Sequence, residues 1–129
     1  MAIKSNIKRE VFNITVDGSG DFEESKNTDI FGFLYAIVWV DGDLVDGVDF
    51  TLSVVGINGE PDRTVMAVLA ANDDKTYYPR TLEHLDTDGT DLASHSYPII
   101  DGKLKMVVAD GGASKSGKAI IYTLQEELG

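Results

Sequence analysis

The chain has 129 residues, 43% of them hydrophobic, which is enough for one domain with a single core. It holds no cysteine, so disulfides, thiolate metal sites and cysteine nucleophiles are excluded. Its net charge of −11 repels phosphate backbones, so no nucleic-acid partner is expected.

The charge is unevenly spread. Residues 1–9 carry Lys4, Lys8 and Arg9 and no acid, whereas residues 10–102 hold 19 acids against 4 bases. The basic start reads as a short arm that docks on an acidic neighbour, with a frayed terminus as the alternative. It lacks the apolar core of roughly 7–15 residues that a secretory signal needs. The longest apolar run, residues 31–40, is about half the length of a membrane helix. The expectation is a soluble protein made in the cytoplasm, with no membrane partner.

In chain order, Ile3, Ile7, Val11, Ile14 and Val16 alternate loosely with polar residues, and the β-rich stretch 11–16 stops at the turn Asp17-Gly-Ser-Gly20. Residues 17–29 are polar and acidic and read as a surface loop. Residues 31–40 are aromatic, β-branched and uncharged, which predicts a central strand buried on both faces, with Trp39 in or beside the core. Asp41-Gly42-Asp43 then predicts a hairpin turn. Residues 48–54 alternate at period two, and residues 64–70 fit strand or helix, with strand favoured by their β-branched start and their place among strands. Residues 75–79 form a short edge strand ended by Pro79. Residues 80–96 make a polar connection long enough to be functional. Residues 97–100, 103–109 and 118–124 are the last three strands. Residues 21–30 and 80–95 leave room for a short helix.

Few groupings offer chemistry. Gly112 to Lys118 fits the spacing of a phosphate-binding loop, but Ala119 replaces the hydroxyl that would hold magnesium, and the residues that follow read as strand. A glycine-rich hairpin loop is expected there. Asp41, Asp43 and Asp46 miss the spacing of a calcium loop. Asp86, Asp88 and Asp91 are the better acidic turn for a hard cation, with a solvated loop as the plainer expectation. His84 and His95, with Asp86 and Asp88, have donor types for a metal but no known ligand spacing. No nucleophile, base and oxyanion site assemble, so no enzyme and no cofactor are expected. Tyr77, Tyr78 and Arg80 are candidate interface anchors, because such side chains bury much area while keeping a polar tip.

Three stretches carry a resemblance. They are Val48-Asp-Phe-Thr-Leu-Ser-Val54, Lys75-Thr-Tyr-Tyr-Pro-Arg80 with its long polar loop, and residues 101–117 (Asp-Gly-Lys-Leu-Lys-Met-Val-Val-Ala-Asp-Gly-Gly-Ala-Ser-Lys-Ser-Gly) followed by a terminal strand. In this order they resemble small structural proteins of tailed bacteriophages, of the head decoration or head–tail neck type. The likeness covers about the last two-thirds of the chain, and the final stretch is its most specific part. It implies a virion component made in the host cytoplasm. The implied partners are the major capsid protein or neck proteins, and the implied assembly is a homo-oligomer, with a trimer favoured.

The expected fold is therefore all-β, a single-domain antiparallel β-sandwich of jelly-roll or immunoglobulin-like type with seven to eight strands. Residues 1–16 would form the arm and first strand, and residues 17–129 the body. The expected function is capsid decoration, with the interface at Lys4, Lys8, Arg9, Tyr77, Tyr78 and Arg80. A neck or tail ring, and a calcium- or carbohydrate-binding module, are the alternatives.

Overall fold

Alternating apolar residues build the two layers of this protein, and one long strand joins them. The computed structural model describes residues 3–84 and 91–128, with the side chains of residues 6–81 and 96–125. The described residues form nine strands and no helix: β1 (Ile3–Thr15), β2 (Phe22–Val40), β3 (Asp49–Val54), β4 (Arg63–Val68), β5 (Lys75–Tyr77), β6 (Thr81–His84), β7 (Asp91–Ser96), β8 (Ile99–Ala109) and β9 (Ser116–Leu128). Seven of them make one open antiparallel sheet in the order β1-β9-β2-β8-β3-β4, with β5 also on β2. The strands β6 and β7 pair separately.

The strand β2 folds this sheet over. Its first half, from Phe22 to Phe33, pairs with β8, and its second half, from Phe33 to Val40, pairs with β9 on the opposite edge. Register shifts at 25–29 and 34–36 mark bulges, which bend a strand and raise its twist. The two layers are thus β4-β3-β8 with the start of β2, and β5, the end of β2, β9 and β1. Between them lie Phe12, Ile14, Leu34, Ile37, Trp39, Phe50, Leu52, Leu104, Met106, Val108 and Ile121. The ring of Trp39 stacks on Phe50 at 4.6 Å across the two layers, and its Nε1 donates to the Ala71 carbonyl at 3.0 Å. On the open side, Lys26 Nζ donates to the Val11 carbonyl at 2.6 Å and lies over the Phe12 ring. The protein is an all-β, antiparallel, single-domain sandwich, as its turn spacing implies.

Several local expectations change, each because a strand found a distant partner. Residues 3–9 are not an arm, since Ile3 to Arg9 pair with Leu128 to Tyr122 along β9. Residues 22–29 are strand rather than loop or helix. They pair with β8, and Lys105–Glu23 and Lys103–Asp29 ion pairs at 3.4 and 3.0 Å cross the ladder. Residues 99–109 are one strand, and the connection 80–96 contains the β6–β7 pair. The turns at 41–43 and 110–115 are not hairpins, because β2 does not pair with β3 and β2 separates β8 from β9. No phosphate-binding helix follows Gly117, where Ser116–Leu128 is strand.

Asp43 and Asp74 serve the backbone around residues 41–46. Asp43 Oδ1 accepts from Ser116 N at 2.6 Å, and Asp74 Oδ1 accepts from Asp41 N at 2.8 Å. No group of three or more His, Asp or Glu among the described residues is placed to hold a metal. Asp41 Oδ1 is buried without a hydrogen-bond partner. Its burial, followed by repulsion from Asp46, Asp74 and Asp73, raises the Asp41 pKa. A raised carboxyl pKa means the folded state holds its proton while the unfolded chain has released it. The group's contribution therefore falls as pH rises through the carboxylate range and is a net cost at neutrality. Asp41→Asn is expected to raise the thermal midpoint at pH 7, with no gain near pH ~3, where the carboxyl is protonated. Melts of both proteins at the two pH values check this.

Candidate docking face

The outward positions of the β5-β2-β9-β1 layer are the unusual surface of this protein. Register sets the rows: Val11 beside Ile120 beside Val38, Arg9 beside Tyr122, and Ile7 beside Leu124 beside Phe33. Alternation along β9 turns Ile121 and Thr123 into the core and leaves Ile120, Tyr122 and Leu124 half-buried on the outside. Along β2, Leu34, Ile37 and Trp39 point in, while Phe33, Tyr35 and Val38 point out. A solvated sheet face is ordinarily polar at these positions. Here Ile7 is 65% exposed and Tyr78 59%.

Aromatic rings thicken the face at one end. Tyr35 meets Tyr78 edge-on at 6.0 Å and Tyr97 at 6.1 Å, and Phe33 meets Tyr97 at 6.4 Å. Arg80 caps the group. Its guanidinium lies 4.2 Å from the Tyr97 ring centre and 5.6 Å from that of Tyr35, and its Nη1 donates to the carbonyls of Tyr35 and Pro79. These bonds fix a long cation in place, so less side-chain freedom is lost when a partner meets it. Beside the rings, Ile7, Tyr35, Ala36, Val38, Thr76, Tyr78 and Tyr122 line a shallow groove of about 320 Å³. The groove is apolar apart from a threonine and the tyrosine hydroxyls, so it suits apolar side chains of a partner.

The opposite exterior is of another kind. There Lys103 pairs with Asp29, Lys105 with Glu23 and Asp62, and Arg63 with Asp101. The Gly56 amide, then Lys105, holds the Asp62 carboxyl below its ordinary pKa, while its hydrogen bonds to Asp62 and then Glu23 raise that of Lys105. Such paired, exposed charges keep a surface wet.

The structure divides the residues singled out from sequence. Tyr78 and Arg80 lie on the docking face, but Tyr77 turns inward, edge-on to Phe50 at 5.7 Å, and burial pushes its phenol pKa up. Arg9 stands on the face beside Tyr122, and Lys8, its neighbour along β1, takes the other parity. Lys4 pairs through its backbone with Glu127, and its side chain lies outside the described residues. Asp86 and Asp88 also lie outside them. Asp91 pairs with His84 and His95 with Leu82, with no side chain described. Sequence reasoning missed Phe33, Tyr35, Val38, Tyr97 and Tyr122. The signal was present: residues 31–40 and 119–122 are uncharged at both parities, and the fold covers only one of them.

Removing residues 1–9 deletes seven of the thirteen β1–β9 pairs, together with Ile7 and Arg9. The shortened chain is expected to melt at a lower temperature while keeping its β spectrum, because Phe12 and Ile14 still fill the core. Circular dichroism on heating checks this.

No protein-family model, curated protein or solved structure matches this chain.

Proposed function

We propose that this protein is a non-enzymatic structural component of a tailed-bacteriophage virion, a capsid decoration protein that binds and stabilises the head shell. One observation carries the docking part of this reading. Residues 31–40 of β2 and 119–122 of β9 are uncharged and mostly apolar at both parities, while the chain itself covers one face only. A contiguous exposed apolar patch marks an interaction surface on a soluble domain. The resemblance of residues 48–54, 75–80 and 101–117 to phage head and neck proteins supplies the class of partner. Weak single contacts suffice for such a role, since many copies on one lattice raise occupancy.

Counting copies in purified particles by quantitative mass spectrometry, against the major shell protein, tests the assignment. Hundreds of copies support decoration. About a dozen would point instead to a neck or tail ring, and absence from the particle would overturn the virion reading. A melting temperature that rises with calcium would favour the module reading built on Asp86, Asp88 and Asp91, because a ligand bound only by the folded state stabilises it.

A further inference from the structure

The charge around the docking face identifies the chemistry of what it meets. Among the described side chains, the outward positions of β1 (7, 9, 11, 13, 15), of β9 (116, 118, 120, 122, 124) and of the end of β2 (33, 35, 38, 40) include no aspartate or glutamate. The charges that do occur there are Arg9 and Lys118, both exposed, and Arg80 joins them at the aromatic end. Among the described side chains, these positions form an apolar surface whose charges are basic, on a chain of net charge −11, with Asp41, Asp43 and Asp74 just beyond its Val40 and Ser116 end. Glu23, Asp29, Asp62 and Asp101 lie on the opposite exterior. Complementary charge at the rim fixes orientation and speeds encounter, and like charge excludes wrong partners.

That segregation argues against a second copy on this face. A two-fold contact places the same patch on both sides. It would set the Arg9, Lys118 and Arg80 cations of both copies around one interface and bring two strongly acidic bodies together. We infer that the outer face of the β5-β2-β9-β1 layer docks a different protein, one presenting an apolar patch bordered by carboxylates that pair with Arg9, Arg80 and Lys118. This rests on the docking role proposed above and adds the chemistry of the partner.

The test places the photo-crosslinking residue p-benzoylphenylalanine at position 78, and in a second protein at position 7, of the full chain. Both are irradiated in the cells that natively make the chain, and adducts are mapped by mass spectrometry. The expected adduct joins a different protein at a segment containing Asp or Glu. Its yield falls about tenfold in the Arg9→Glu/Arg80→Glu background and recovers with Arg9→Lys/Arg80→Lys. Thermal melts show whether the charge-reversed chain is folded. Independently of any substitution, when a lysate of the same cells is irradiated, raising its salt from about 0.05 to about 0.5 M lowers the yield of the chain carrying only the crosslinker, through screening of the rim pairs. Adducts to a second copy of this chain, adducts to segments without carboxylates, yields indifferent to both charge and salt, or no adduct would each overturn the inference. A carboxylate-bordered partner that is not a shell protein would uphold the inference and overturn the decoration reading.

Discussion

Trp39→Ala is expected to cost about 3–5 kcal/mol of stability, the range for removing a large aromatic from a packed core. Domains of this kind hold about 5–15 kcal/mol in total, so the variant sits near the edge of folding. The loss is large because Trp39 acts on three elements at once. It is wholly buried in β2, stacks on Phe50 of β3 across the layers, and hydrogen-bonds the Ala71 carbonyl in the connection before β5. Alanine leaves a void between the layers and an unsatisfied carbonyl beneath it. Urea unfolding, with the slope unchanged and the midpoint sharply lower, checks the prediction. Trp39→Phe should recover part of the loss, since the ring returns without the indole donor.

Gly32→Val is expected to cost about 1–3 kcal/mol or more, by overpacking rather than by a void. Gly32 sits where β2 leaves β8 for β9, opposite Ile100, with the next residue paired to Leu124. A Cβ built there would lie 2.1 Å from the Leu124 carbonyl oxygen. That neighbour is backbone, so the strands must separate and the bend that folds the sheet over must open. A lowered thermal midpoint, with faster amide exchange around residues 31–35 and 122–125, is the expected signature. An unchanged midpoint would show that the crossing tolerates a side chain.

These two positions also show how far sequence reaches. Trp39 was legible as core because it lies in an uncharged, β-branched run, and period-two alternation located β3 and most of β8. The crossing at Gly32 was not legible, because nothing local distinguishes a strand with one partner from one that exchanges partners midway. The same limit hid residues 3–9 and 22–29 as strands. Their sequences are polar, and what makes them strands is β9 and β8, about 120 and 80 residues away along the chain. At the candidate site, Tyr78 and Arg80 were found from residue type alone. Tyr77 was grouped with them and separates because adjacent strand residues face opposite ways. Residues 31–40 were legible as apolar at both parities. That pattern says that both faces prefer cover, but not that the chain itself covers only one of them.

In the proposed function, the β5-β2-β9-β1 exterior binds and the ion-paired exterior does not. The most direct measurement is co-sedimentation of the purified chain with head shells lacking it, comparing Ile7→Asp/Tyr78→Asp with Lys103→Ala. Ile7 and Tyr78 are mostly exposed, so their replacement should leave the melting temperature close to that of the unmodified protein. Ile7→Asp/Tyr78→Asp is expected to lose about a hundredfold or more in affinity, while Lys103→Ala binds like the unmodified chain. Unchanged binding by the folded Ile7→Asp/Tyr78→Asp protein, or selective loss in Lys103→Ala, would contradict it.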